Sequence, residues 1–478
     1  MHNRKPFYLL IICLALFLGI EIAFLSIIIE EAIWQTICLL ISVSLSGLLL
    51  IQRLQNRLGD PDLQLLGYVW LSKLLLSICL LYAGWIPLLD PATNPDWGFD
   101  PMRYYLYAQE LVENGFSLPM NISLNYAGIL YYYGIIFALL GNNPVIPALV
   151  NAFITLLATL ILVEEGYRIK EARDPHDWCL GLAMVLPDVL WYDILTSRET
   201  LIGALFTATM LKVGLVVAHK QHMGVHTIVM IIVGWMIIGL IRPTILLAVV
   251  VSVVLLFILL ARTSAKRIMG LILSGLIIVL LIFAPMVIEE LGGYSFKYTA
   301  LFQTLFSPDR DFLLATYDWT EKSVGQLLIP NNPLQAVIFM IPRGVLYLVV
   351  PLPNTGITLS GIIQGNSWHS LMVSSASVLY ICLFPLAVAS LLRALKYRKD
   401  NRMPLLIFHI PFWVLFLTIV VGNNIIHERY RVMACLLLWG CIWLGAACPR
   451  RLVRQVYLVW GAVLVSGTLF YLAYKNML

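Results

Sequence analysis

The sequence predicts an all-α, polytopic integral membrane protein with about thirteen transmembrane helices. Three observations predict it. Of 478 residues, 60% are hydrophobic and only 12% are charged, whereas soluble globular chains carry about 25% charged residues. Mean hydropathy is +0.89 over the whole chain. The apolar residues also fall in runs close to the ~20 residues that a helix needs to cross a bilayer. So little charge cannot coat a water-facing surface of this size, which excludes soluble-enzyme and DNA-binding classes. The net charge of +5 is no nucleic-acid footprint, because the basic residues sit in short loops between apolar runs.

The runs fall near 7–29, 33–51, 66–88, 145–163, 178–194, 201–218, 226–241, 243–261, 268–288, 369–392, 404–421, 431–447 and 456–474. The first follows Arg4 and Lys5. It is too long for a signal-peptide core and no small-residue cleavage site follows, so an uncleaved anchor with a cytoplasmic N-terminus is expected. Loop charge sets the orientation. Arg53 and Arg57, Arg168 to Arg173, His219 and Lys220, Arg262 to Arg267, Arg393 to Arg402, and Arg450 to Arg454 each follow a run. The positive-inside rule places them all in the cytoplasm. For that parity to hold, the apolar stretch 126–140 does not cross; it lies at the outer interface or re-enters. The same parity makes 336–353 re-entrant or a broken pair, and Pro342, Pro351 and Pro353 fit a broken element.

The expected organisation is an N-terminal helical pair over 1–65, a transmembrane core over 66–288 with an outer loop at 89–144, an outer loop and re-entrant segment over 289–368, and C-terminal helices over 369–478. The eight cysteines form no CxxC and no Cys/His cluster, and read as small buried hydrophobes.

On this topology the unusual polar groups gather at one membrane face. Asp96, Asp100 and Arg103 fall in the first outer loop. Asp188, Asp193, Arg198 and Glu199 fall at the outer turn between the runs 178–194 and 201–218, and Arg242 at the turn after 226–241. His427, Glu428, Arg429 and Arg431 fall at the turn after 404–421. Charges at membrane depth are costly and tend to mark function. Arg242, Arg429 and Arg431 moreover face outward, against the positive-inside trend. The plainer reading of each is a polar turn in contact with water. Lys73 and Glu21, inside helices, read as packing or interhelical hydrogen-bonding groups.

The segment from Gly98 to Glu110 starts a helix. Asp100 caps it, Pro101 takes its first turn, and Asn114-Gly115 ends it. Tyr104, Tyr107, Ala108 and Leu111 follow at helical spacing. Asp100 is then either a plain cap or a carboxylate at the mouth of an outer cavity.

An acidic residue soon after a transmembrane helix, followed by a Tyr-rich interfacial helix, resembles the GT-C glycosyltransferases, among them protein O-mannosyltransferases and lipid A aminoarabinose transferases. The stretch Asn125-Tyr126-Ala127-Gly128-Ile129-Leu130-Tyr131-Tyr132-Tyr133, then Phe137 to Pro144 and a long helix, is similar to that superfamily's Tyr-Pro-Pro, Phe-Gly and following-helix pattern. Ala127-Gly128 stands in place of the prolines, and Asp96 and Asp100 are apart where the family has a paired acid. The likeness covers mainly residues 66–215. Thr196 to Thr200, Val350 to Pro353 and His427 to Arg431 resemble elements of bacterial polysaccharide-assembly membrane proteins, both transferases and repeat-unit polymerases.

The resemblance implies a polyprenyl-phosphate-linked sugar donor, a glycan, lipid or protein acceptor, and a multi-pass protein of a bacterial inner membrane whose site faces the periplasm. Asp100, with Asp96 second, would take the acceptor proton. Arg198, Arg242, Arg429 and Arg431 would hold the donor phosphate. Arg103, Tyr104, Tyr105, Glu199, His427 and Glu428 would contact substrate, with His427 the alternative base of a polymerase. Tyr131 and Tyr132 would line a sugar or lipid groove or an interfacial aromatic belt. Some relatives use a divalent cation, but no metal-ligand cluster in this sequence requires one. The other readings are a repeat-unit polysaccharide polymerase or ligase and, from another class, a lipid-linked oligosaccharide flippase or transporter.

Overall fold

The computed structural model describes residues 32–89, 100–118, 124–169, 177–218, 224–260, 328, 332–350, 367–396, 405–422 and 429–477. Every regular element among the described residues is helical. In chain order they are α1 (Ala32–Leu58), α2 (Leu65–Leu80), α3 (Asp100–Glu113), α4 (Leu124–Leu140), α5 (Val145–Ile169), α6 (Pro187–Ile194), α7 (Glu199–Val217), α8 (Val225–Ile241), α9 (Pro243–Leu260), α10 (Pro333–Val349), α11 (Trp368–Lys396), α12 (Leu406–Gly422), α13 (Arg429–Val432), α14 (Cys435–Ala446) and α15 (Arg450–Met477). A 3-10 turn, Pro61–Gln64, leads into α2, and a π turn, Leu81–Trp85, followed by a four-residue helical turn, Ile86–Leu89, extends it. Asp60 caps the first of these, its carboxylate accepting the Asp62 amide at 2.9 Å.

Six of these segments are long and apolar enough to cross a membrane: Trp34–Leu58, Pro61–Trp85, Val145–Ile169, Glu199–Val217, Trp368–Lys396 and Arg450–Leu469. Six further apolar helices are shorter, among them Tyr126–Leu140 and Val225–Ile241. The chain therefore carries the helices of a membrane-embedded protein. The runs expected at 7–29 and 268–288 lie outside the described residues.

Three runs depart from the sequence expectation, each through local chemistry. The run 178–194 is not one helix. A 3-10 helix spans Asp177–Val185 and α6 starts at Pro187, with Leu186 between them at φ −56° and ψ 137°. A proline ring drives the preceding residue out of the α region, so a run read by hydropathy alone splits there. The run 431–447 divides into α13 and α14. Conversely, α10 passes through Pro342 without interruption and ends at Val350, which is extended immediately before Pro351. The break expected at Pro342 is therefore absent, and the helix stops where the residue before a proline should stop it.

The helices group into two compact units. The first holds α1–α6, α7 as far as Thr209, α8 and the start of α11. In it α1 packs on α2 and α5, α2 packs on α6, and α3 packs along α4. Trp70, Trp85, Trp191 and Tyr133 are fully buried there. The second unit holds the end of α7, α9, α10, most of α11 and α12–α15. There α12 packs against both α10 and α14, around Tyr347, Tyr380, Phe408 and Phe412.

Candidate functional site

The first unit gathers polar side chains where the ends of α3, α4, α7 and α8 meet. Helix α3 begins at Asp100 and stops where Gly115 takes φ +60°, a left-handed turn that glycine adopts without a Cβ penalty. Its inner face carries Pro101, Met102, Tyr104, Tyr105, Ala108 and Leu111, all buried. Tyr107, expected on that face, is instead 38% exposed. Arg103 is also exposed and points away from the buried face.

The segment Thr196-Ser197-Arg198 is pinned from both sides. The Thr196 hydroxyl donates to the Pro101 carbonyl. The Tyr133 hydroxyl donates to the Ser197 carbonyl at 2.6 Å. Arg198 then starts α7, its carbonyl accepting from Ile202 at 3.0 Å. Its own amide donates to the Glu199 carboxylate at 3.2 Å.

This places the Arg198 guanidinium 5.8 Å from the centroid of the Tyr104 ring and 5.7 Å from that of Tyr126, which is cation–π range. Glu199 lies between two arginines, 3.6 Å from Arg198 and 3.8 Å from Arg242. All three are buried. Two guanidiniums thus stand around one carboxylate in a low-dielectric setting, where charge acts most strongly. Burial pushes the Tyr104 phenol well above its ordinary range, and the Arg198 charge opposes that shift. Asp100, Glu199 and Tyr126 add to it, so Asp100 belongs to the same electrostatic neighbourhood.

Arg242 reaches this cluster because α8 ends against α4. A Cβ on Gly128 would lie 2.1 Å from the Leu240 carbonyl oxygen. Only glycine permits that backbone contact two residues before Arg242. Gly128 thus has a packing role of its own.

Beneath the cluster is a second polar layer. Asn151 of α5 donates to the Tyr133 hydroxyl at 3.1 Å and to the carbonyls of Asp193 and Leu195 at 3.2 and 3.3 Å. It accepts from Tyr132 at 3.1 Å. Asp193 is ion-paired with Lys73, both fully buried. Asp193 also accepts from Thr155 at 2.9 Å, and Lys73 donates to the Met184 carbonyl at 2.8 Å. The network fixes the chain from Asp193 to Ser197 that carries Arg198.

The expected site residues therefore separate. Asp100, Tyr104, Arg198, Glu199 and Arg242 come together. Tyr105 is buried beside them and tethers α3 to the start of α5 through its bond to the Asn142 carbonyl, at 2.6 Å. Burial pushes its phenol up to about 12. Tyr131 is partly exposed and stacks on Phe116. Asp96, His427 and Glu428 lie outside the described residues.

Arg429 and Arg431 belong to the second unit. Arg429 bonds to Tyr430, at 2.9 Å, and lies over its ring. Arg431 is buried. Its Nη1 donates to the carbonyls of Leu348 and Val350 at 3.3 and 2.8 Å and to the Ser377 hydroxyl at 2.8 Å. It also lies over the Tyr380 ring, 5.3 Å from the centroid. These bonds close the C-terminal carbonyls of α10, a structural task that its place in an outer turn did not suggest.

Sequence reasoning missed the partner of Lys73, since Asp193 was assigned to an outer turn. It also passed over buried Asn151, Glu164, Glu165 and Arg343. The usable signal was the same for all of them, a polar residue inside an apolar run. Among the described residues, no group of three or more His, Cys, Asp or Glu side chains is placed to hold a metal ion. No protein-family model, curated protein or solved structure matches the chain.

Proposed function

We propose that the chain is a GT-C-like membrane glycosyltransferase that moves a sugar or glycan from a polyprenyl-phosphate-linked donor to an acceptor at the outer face of a bacterial inner membrane. The thirteen-crossing topology belongs to this reading, because it puts the Arg198–Glu199–Arg242 cluster on the outer side. One observation carries it. Two buried arginines flank one carboxylate beside the Tyr104–Tyr126 ring pair, and Tyr104 stands one turn of α3 after Asp100.

The leaving group is a phosphate of low pKa, which needs no general acid. It needs cations placed where charge develops, and guanidinium forks suit phosphate oxygens. Arg198 and Arg242 take that part. The acceptor oxygen bonds to the anomeric carbon as the bond from that carbon to the phosphate oxygen breaks. Its proton passes to the Asp100 carboxylate, and direct displacement inverts the anomeric centre. Tyr104 packs against Arg198 and holds its orientation. Arg431 has no phosphate role in this scheme, since its Nη1 serves the end of α10. That also removes Arg431 from the polymerase or ligase reading, which leaned on Arg198, Arg429 and Arg431 together.

A flippase or transporter is the second reading, and one observation favours it. Charged groups are buried at more than one depth along α5, with Lys73–Asp193 beside Thr155 and Glu164–Glu165 near its other end. Profiling of lipid-linked glycans in a deletion strain separates the two readings. Transfer predicts that an intact donor accumulates and that D100N, correctly folded, fails to restore product. Translocation without glycosidic bond formation favours the transporter.

A further inference from the structure

The first unit contains a cavity of about 510 Å³ between α1, α4, α5, α7 and α8. Its wall is apolar over most of its length, including Leu157, Leu205 and Ile237. At one end stand Arg53, Arg57 and Glu164; at the other stands Tyr132, bonded to Asn151. Leu157 is 38% exposed, so the cavity is a groove that opens on the lipid-facing side.

Its length is fixed by α5. The lining runs from Ile154 to Glu164, and ten residues at 1.5 Å each span about 15 Å. That is half of the ~30 Å hydrocarbon core, the depth of a single leaflet. The charged end lies where the positive-inside rule puts the cytoplasmic surface. Arg53 and Arg57 are both exposed there. Among the described residues, the charges near that end include Arg53, Arg57 and Arg168 against Glu164, Glu165 and Asp60, the last bonded to Tyr167 at 2.6 Å. Glu164 pairs with Arg57 and Arg168, and Glu165 with Arg168. Of the charged groups that line the mouth itself, Arg53 and Arg57 stand against Glu164 alone, which leaves the mouth basic.

We propose that this groove is a binding site for one anionic phospholipid of the cytoplasmic leaflet, with an acyl chain along the α5 wall and the headgroup phosphate on Arg53 and Arg57. A basic mouth over an apolar slot one leaflet deep matches an anionic amphiphile in both charge and length. A zwitterionic lipid would fill the slot but gain less at the mouth. The site stands apart from the Arg198–Arg242 cluster and does not depend on glycosyl transfer.

The test is native mass spectrometry of the full chain in detergent, titrated with phosphatidylglycerol, phosphatidylcholine and a polyprenyl phosphate. The wild type is expected to bind one phosphatidylglycerol about tenfold more tightly than phosphatidylcholine. R53A should erase that preference while leaving weak binding of both. L157W, which fills the slot from its exposed side, should remove both. Equal binding of the two phospholipids by the wild type overturns the proposal. So does an R53A variant that keeps the preference, or a polyprenyl phosphate that outcompetes phosphatidylglycerol and is displaced by L157W. Unchanged circular dichroism and a monodisperse elution profile establish that each variant is folded.

Discussion

Lys73→Met is the sharpest perturbation of the scaffold under the candidate site. Lys73 and Asp193 are both fully buried, and the lysine ammonium serves the carboxylate and the Met184 carbonyl. Without the lysine, Asp193 keeps Thr155 but loses its counter-charge. Removing one partner of a buried pair costs about 3–5 kcal/mol. An ordinary interhelical hydrogen bond in a membrane protein is worth about 0.6 kcal/mol, so the two accounts differ severalfold. Replacing both partners removes the stranded charge. K73M/D193L should then be more stable than K73M, because it exchanges the stranded charge for a stranded Thr155 hydroxyl, worth about 1–3 kcal/mol, while the Met184 carbonyl loses its donor in both variants. The assay is unfolding of the detergent-solubilised protein by added sodium dodecyl sulfate, followed by tryptophan fluorescence. A single variant within about 1 kcal/mol of wild type would mean that the pair is worth no more than a solvated one, and the reasoning would fail. So would a double variant less stable than K73M.

Other predictions follow from the same contacts. Gly128→Ala forces a methyl group into the Leu240 carbonyl; overpacking costs about 1–3 kcal/mol, and a thermal-shift assay should show the loss. Any donor-binding assay should show a further deficit, since α8 carries Arg242. Arg431→Ala strips the donor from the Leu348 and Val350 carbonyls and the Ser377 hydroxyl. At about 1–3 kcal/mol for a buried carbonyl left without its donor, a clear fall in melting temperature is expected. Wild-type stability with lost activity would return Arg431 to the substrate site. Tyr133→Phe releases the Ser197 carbonyl and one Asn151 bond, and should cost about 1–3 kcal/mol in the same thermal-shift assay.

The sequence made the helical class legible because burial in lipid demands apolar runs, and hydropathy reads those directly. The ends of α3 were legible too, since Asp100-Pro101 and Asn114-Gly115 act through local backbone geometry. The break at Leu186 was readable in principle from Pro187, but the apolar count hid it. Pairing was not readable. Lys73 and Asp193 are 120 positions apart, and nothing local says which buried charge meets which. Arg198 and Arg242 looked alike to Arg429 and Arg431 by charge and by loop position. Only packing separates a guanidinium held over a tyrosine pair from one that closes a helix end. The role of Gly128 was hidden for the same reason, because its neighbour is a backbone carbonyl from a distant helix.

The central claim is that Arg198 and Arg242 hold the phosphate of a lipid-linked sugar while Asp100 receives the acceptor proton. The most direct measurement reconstitutes the purified chain with the lipid-linked donor that accumulates in the deletion strain, and follows glycosidic bond formation and donor affinity together. The account predicts that R198A and R242A each weaken donor binding, and that D100N binds donor normally but forms no product. Full product formation by D100N, or donor binding indifferent to both arginines, would contradict it.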